Sequence, residues 1–208
     1  MQIDNYVVHV VDDEEAVRKS LAFLLTMAGF TVRVHASASS FLELTLGLGN
    51  ACLVTDMRMP DMSGVELLER LKARGDAVPA IVITGQGDVP TAVAAMKTGA
   101  VDFIEKPFED QILIDAIKRA ASRLQGPDEA VSDIGSLKLR LDNLSERERQ
   151  VLSAVVAGLP NKTVAYDLGI SPRTVEVHRA NIMAKMQARS LPELVRMAIA
   201  LNIVPGQR

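Results

Sequence analysis

The sequence predicts two folds in one chain: an α/β fold built on a five-stranded parallel sheet, then an all-α domain of four helices containing a helix-turn-helix. Three observations carry this. Over the first 124 residues, five short Val- and Ile-rich runs alternate with five amphipathic stretches. The alternation breaks at Gln125-Gly126-Pro127. From Leu144 onward the apolar residues recur at helical spacing, separated by capping residues and turns.

The predicted strands are Tyr6–Val11, Thr31–His35, Cys52–Thr55, Ala80–Thr84 and Val101–Ile104. Such short, uniformly apolar runs suit strands buried on both faces, as a parallel sheet requires. The predicted helices between them are Glu14–Ala28, Ser39–Leu46, Val65–Ala73, Val89–Thr98 and Glu109–Leu124. Gly29, Gly75 and Gly99 follow three of these, where a helix end favours a left-handed residue. The first domain is therefore placed at residues 4–124, a linker at 125–143 and the second domain at 144–208. The linker carries Val131, Ile134, Leu137 and Leu141 at roughly helical spacing. It reads as a helix able to pair with a second chain, or as a simple tether, because Gly135 weakens the helix.

In the second domain, Ser145 with Glu148 forms a capping box for a helix to about Ala157. Asn161 is expected to cap a short helix over Lys162–Leu168, ended by Gly169. Ser171-Pro172 opens a third helix to about Gln187, and Ser190-Leu191-Pro192 a fourth to about Leu201.

Composition excludes several classes. Hydrophobic residues make up 48% of the 208, enough for a core, yet aromatics are only 3% and Trp is absent, so aliphatic side chains and Met must fill it. The single cysteine, Cys52, rules out a disulfide within the chain and suits a reducing compartment. No apolar run reaches the roughly 18–20 residues of a membrane span. No basic segment precedes the first apolar run, which argues against a signal peptide. A cytoplasmic protein without membrane contact is expected. The net charge of −3 hides an asymmetry: residues 1–124 hold 12 Lys/Arg against 17 Asp/Glu, residues 141–208 hold 9 against 6. This asymmetry suits a second half that alone meets a polyanion, and equally the drift of a few charges usual between small domains.

Four features fall at the carboxyl ends of predicted strands. Asp12-Asp13 follows the first, Asp56 the third, Thr84 ends the fourth, and Lys106 follows the fifth. A parallel sheet gathers all four at one edge, where ligands of such sheets sit. Three carboxylates brought together repel one another, and a hard divalent cation with oxygen ligands, Mg²⁺, relieves that repulsion. A lysine point charge and a threonine hydroxyl beside them suit phosphoryl transfer, with a carboxylate as nucleophile.

These residues, with Val11, Thr55, Met59-Pro60, Gly64, Gly85, Gly99-Ala100 and Pro107-Phe108, make residues 4–124 resemble the receiver domain of two-component response regulators. The resemblance implies a flavodoxin-like strand order and Asp56 as phosphoacceptor. It implies Asp12, Asp13, Asp56 and the backbone carbonyl of Arg58 as Mg²⁺ ligands, and Thr84 and Lys106 as contacts to the phosphoryl oxygens. It also implies a cis Lys106–Pro107 bond, and it puts Phe103 at the switch-aromatic position, where the absence of a hydroxyl leaves only packing to couple it to Thr84.

On the third helix of the second domain, His178, Ile182 and Met186 fall on the face of Val175, within about 60° of it. Arg173, Val177, Ala180 and Ala184 point the other way, flanked by Glu176 and Asn181. Small and apolar residues on an exposed face suit a recognition helix in a DNA major groove. Lys162, Arg179 and Lys185 are placed for phosphates. Leu144-Ser145, Arg147-Glu148, Ala157-Gly158, Asn161-Lys162, Ile170-Ser171, Thr174-Val175-Glu176, His178-Arg179 and Lys185-Met186 make residues 144–200 resemble the LuxR/NarL-type DNA-binding domain. The candidate DNA-binding residues are thus Lys162, Arg173, Thr174, Glu176, Val177, Arg179, Ala180, Asn181 and Lys185.

Over its whole length the chain is similar to the nitrogen-fixation regulators of this class. That resemblance implies a FixL-like, haem-based oxygen-sensing histidine kinase as partner, promoter DNA used when oxygen is low, RNA polymerase, and a homodimer when phosphorylated. The expected dimer face combines Val89–Thr98, the fifth strand and Glu109–Leu124. No enzyme is expected. A phosphatase using Asp56 as nucleophile would need a substrate-binding region for which the chain has little room, and a protein-binding relay does not account for the face of Arg173, Val177 and Ala180.

Overall fold

The computed structural model describes residues 6–43, 49–76, 78–85, 89–125 and 134–203. The chain divides into two compact units, Met1–Gly87 with Thr98–Pro127, and Asp88–Lys97 with Asp128–Arg208.

Five parallel strands form a single sheet in the order β2-β1-β3-β4-β5: β1 (Val7–Val11), β2 (Thr31–His35), β3 (Ala51–Asp56), β4 (Ala80–Thr84) and β5 (Asp102–Glu105). Each parallel pairing needs a crossover, supplied by α1 (Glu15–Met27), α2 (Ala38–Leu42), α3 (Gly64–Arg74) and α4 (Val89–Thr98), with α5 (Asp110–Gln125) closing the series. Strand boundaries shift from the sequence expectation by a residue: β3 includes Asp56 itself, and β5 starts at Asp102. The expected second helix is shorter, and its last residues, 44–46, lie outside the described ones.

Val8, Val10, Cys52, Val54, Ile81 and Ile83 alternate onto one face of the sheet and pack with Leu21, Leu25, Leu113 and Ile117 of α1 and α5. Full burial of each Val, Leu or Ile contributes about 1.5–3 kcal/mol. The same core buries Tyr6, whose burial beside Cys52 pushes the phenol above its usual range, and Cys52, whose thiol is pushed up to about 12 by burial. Elsewhere in the unit, His9 and His35 bond ring nitrogen to ring nitrogen at 3.0 Å and stack at 5.2 Å, with Phe41 edge-on to both. Burial, then the neighbouring His35 and Arg33, lowers the His9 pKa to about 4.

Besides most of α4, the second unit contains α6 (Ile134–Asp142), α7 (Glu146–Val156), α8 (Asn161–Leu168), α9 (Pro172–Met186) and α10 (Leu191–Ala200). The linker is thus helical over α6. Gly135 falls in its first turn, where glycine costs less than mid-helix. Val131 lies outside the described residues. Leu137 of α6 joins Val151, Leu152, Val175, Ile182 and Leu194 in the core. Capping follows the sequence at Ser145, Ser171 and Ser190, whose hydroxyls accept from the backbone N–H three residues on. Asn161 is a correction: Pro160 takes the cap position of α8 without a side-chain bond, and the Asn161 amide oxygen instead accepts from Arg179 Nη1 at 3.1 Å.

Among the described residues, no helix is long and apolar enough to cross a membrane.

Candidate functional site

The parallel sheet brings the strand-end residues of the first unit together as expected. Asp12 follows β1, Asp56 ends the central strand β3, Thr84 ends β4, and Lys106 follows β5. Lys106 Nζ lies 2.8 Å from Asp56 Oδ1 and 3.2 Å from Asp12 Oδ2. One ammonium therefore ties the ends of three strands. Burial alone would lower the Lys106 pKa. The hydrogen bond and charge of Asp56, with Asp12 behind it, outweigh burial and hold the ammonium above the ordinary lysine value.

Backbone geometry holds the rest. The Arg58 amide donates to Asp56 Oδ2 at 2.6 Å, which lays the loop after β3 against that carboxylate. The Glu14 amide donates to Asp12 Oδ1 at 2.8 Å, and Arg18 Nη1 donates to the Asp12 carbonyl at 2.7 Å. Lys106 N donates to the Thr84 carbonyl at 2.7 Å, and the Lys106–Pro107 bond is cis. Thr84 is buried, and Phe103 is half-buried on β5 opposite Val82. Gly64 starts α3 so close to the end of β3 that a Cβ there would sit 2.6 Å from the Asp56 carbonyl oxygen.

Asp13 is exposed, and among the described residues no three His, Cys, Asp or Glu side chains group together. Asp12 and Asp56 converge on Lys106, whose ammonium offsets their repulsion. The oxygen set still fits Mg²⁺, which takes one or two carboxylates and retains several waters. Asp12 and Asp56 supply hard oxygens beside a solvent-facing Asp13, and the Arg58 backbone lies against Asp56.

In the second unit, α8 and α9 meet through the tight turn at Gly169, which adopts φ +66°. Val175, Ile182 and Met186 are buried as expected, and His178 is half-buried with its Nδ1 enclosed and without a hydrogen-bond partner. Arg173, Glu176, Val177, Ala180, Asn181 and Ala184 are exposed, Val177 at 54%, and Lys162 is exposed on α8. Thr174 is spent on the helix start: its backbone and hydroxyl both meet Ser171 Oγ. Arg179 is half-buried against Asn161, and Lys185 Nζ lies 2.7 Å from Glu148 Oε2. Neither of these two cations is as free as the sequence implied.

Sequence reasoning missed Arg18 as a prop for Asp12 and Glu148 as an ion-pair partner. Glu148 was legible only as half of a capping box, because its lysine is 37 positions away.

Comparison with known proteins identifies two families. Residues 8–118 match the family described as response regulator receiver domain, and residues 142–198 match bacterial regulatory proteins of the luxR family. The chain is 66% identical over 202 residues to the transcriptional regulatory protein FixJ of Rhizobium meliloti strain 1021, covering 97% of this chain and 99% of that protein. It is 49% identical to FixJ of Bradyrhizobium diazoefficiens, covering 95% of this chain and 96% of the other. Among solved structures, full-length FixJ from B. japonicum is similar at 46% identity and a TM-score of 0.53, covering 95% of this chain and 98% of that one. FixJ-N is similar at 62% identity and a TM-score of 0.55, covering 58% and 96%.

Proposed function

Because the chain belongs to the FixJ-type response regulators, in which a receiver domain is joined to a luxR-family DNA-binding domain, we propose that a sensor histidine kinase phosphorylates Asp56 and that the phosphorylated chain dimerises on promoter DNA. The observation that carries this is the setting of Asp56: the end of the central strand, with Lys106 Nζ on one carboxylate oxygen and the Arg58 amide on the other.

A carboxylate oxygen of Asp56 attacks the phosphorus of a kinase phosphohistidine. The P–O bond forms as the P–N bond breaks, and the imidazole leaves with the electron pair and takes up a proton. The product is an acyl phosphate on Asp56. Asp12, Asp13, Asp56 and the Arg58 carbonyl would hold Mg²⁺, which supplies charge neutralisation and in-line positioning when bound. Lys106 already points its ammonium at Asp56 and is positioned to follow the new phosphoryl oxygens. Its departure from Asp12 would leave that carboxylate for the cation. Thr84, at the end of the neighbouring strand, would donate to a second oxygen, and Phe103 would repack as Thr84 shifts. The surface around β5 and α5 then becomes competent to pair with a second copy.

Dimerisation brings two α9 helices onto half-sites, with Arg173, Val177, Ala180 and Asn181 toward base edges and Lys162 toward phosphate. The phosphate-free chain withholds its DNA-binding domain. The chain works in the cytoplasm, turns over no substrate of its own, and recruits RNA polymerase to promoters used for nitrogen fixation when oxygen is low, with a FixL-like kinase as donor. The likeness to FixJ over nearly the whole chain supports that physiological assignment.

A gel shift on a candidate promoter tests the scheme, with and without acetyl phosphate and Mg²⁺, alongside Asp56→Asn. Tighter binding on phosphorylation, absent in the variant, is expected. Equal binding in all arms overturns the phosphorylation switch while leaving a DNA-binding protein.

A further inference from the structure

Helix α9 is apolar on two sides. Val175, Ile182 and Met186 fill the core, yet Val177, Ala180 and Ala184 lie on the exposed side. A helix of this kind is poorly indexed by hydrophobic packing, because a rotation about its axis exchanges one apolar surface for another. Something else must specify which side faces outward. Polar contacts can do so, since a wrong rotation leaves them unpaired.

Three such contacts reach α9, one from each of three helices. Asn161 at the start of α8 accepts from Arg179 at 3.1 Å. Arg140 of α6 donates to the carbonyl of Met186, the last residue of α9, at 3.2 Å. Glu148, in the first turn of α7, accepts from Lys185 at 2.7 Å. The last is the most constraining. Glu148 is 4% exposed, and among the described residues it is the only charged side chain of the second unit that is buried. The same Oε2 also accepts from the Ser145 amide at 2.7 Å, so it is fixed by the α7 capping box before Lys185 arrives.

Lys185 is therefore poorly disposed to serve a phosphate. It sits roughly 90° around α9 from the exposed centre at Val177 and Ala184. Were it to swing away, it would leave a buried carboxylate without its cation, and within the pair its charge is already neutralised. Resting on the DNA-binding function proposed above, we propose that the Glu148–Lys185 pair, helped by Arg140 and Arg179, fixes the rotation of α9. Lys185 then governs DNA recognition as a positioning residue and is not a phosphate ligand.

The test uses the full chain treated with acetyl phosphate and Mg²⁺. One probe is a duplex enriched from a random-sequence pool by the wild-type protein, and the other is its shuffled counterpart. Binding is followed by fluorescence anisotropy across a salt series. Lys185→Met is expected to weaken the enriched duplex about tenfold, the scale of a coupled polar pair, while leaving the shuffled duplex and the salt slope unchanged. Glu148→Gln keeps an acceptor for the Ser145 amide and is expected to give the same selective loss. The double variant should be no worse than the worse single one, because both act through one contact.

A phosphate ligand would behave otherwise. Lys185→Met would then lower the salt slope by about one and weaken both duplexes alike. Glu148→Gln, by freeing the ammonium, would leave binding unchanged or tighten it. Either result overturns the proposal, as does full specificity in both variants. Glu148→Gln decides the matter by the sign of its effect even if Lys185→Met fails to fold. If the wild-type protein enriches no duplex, the DNA-binding function itself fails, and the wild-type arm alone reveals this.

Discussion

The two domains make their working surfaces by opposite means. The receiver pocket is assembled from four strand ends, and its ion triad joins residues 94 and 50 positions apart. Its key groups, Asp12 and Thr84, are buried. The DNA-binding face comes mostly from one helix, α9, and its side chains stand in solvent. A pocket of the first kind is specified by closure of the whole sheet, and each group in it depends on the others. A face of the second kind has its local order for free, and what must be specified is how its helix is turned. Substitutions should therefore act on distances in the receiver and on orientation in the DNA-binding domain.

The largest expected effect separates the two cleanly. Asp56→Asn should abolish incorporation of label from radiolabelled acetyl phosphate, with the second domain's circular dichroism and thermal melt unchanged. Residual label at wild-type level would move the acceptor elsewhere. Next, Ile182→Ala in α9 should cost about 2–5 kcal/mol, as for other fully buried aliphatic truncations. It should unfold the DNA-binding domain on modest heating while Asp56 still accepts phosphate. Loss of both activities together would show the two units to be one cooperative system.

Acid should also distinguish them. His9 is held neutral by burial, with its pKa lowered to about 4. Above its ordinary value near 6.5 neither folded nor unfolded chain is protonated there, and the group has no effect on stability. As pH falls from about 6.5 to about 4, the unfolded chain takes the proton first, so the receiver loses stability, and below that the loss levels off. In the DNA-binding domain, the Lys185 hydrogen bond holds the Glu148 carboxyl below its ordinary value. That stabilisation persists above the unfolded glutamate value and is lost only as pH falls through the lower folded one. Urea denaturation between pH 7.5 and 5 should thus show the receiver weakening first, and His9→Leu should flatten its decline. An unaltered slope in the variant would remove His9 from the account. The smallest effect is at a cap: Ser145→Ala should cost about 1 kcal/mol, read as a shift in the midpoint of the DNA-binding domain alone.

The same contrast explains what the sequence made legible. Strand runs, helix faces and serine caps are local, and they were found to within a residue or so. The pocket was legible although its members are far apart, because a parallel sheet puts every strand's carboxyl end on one edge. What stayed hidden were choices among partners. Asn161 reads as a cap from its neighbours, but Arg179 claims its oxygen, and Pro160 takes the cap position. Three acidic residues read as a cluster, but Lys106 satisfies two of them and Asp13 remains exposed. The His9–His35 bond joins residues 26 positions apart with no sequence signature.

The bridge from Lys106 to Asp12 and Asp56 also bears on how the receiver comes into being. During synthesis Asp56 emerges about fifty residues ahead of the lysine that completes its setting. Until β5 has paired with β4, the carboxylates stand together without their ammonium, and contacts of such long sequence separation close late. A nascent or partly unfolded chain therefore displays an aspartate without its lysine. On the acceptor role proposed above for Asp56, readiness to take a phosphoryl group becomes a certificate that the sheet has been finished to its last strand.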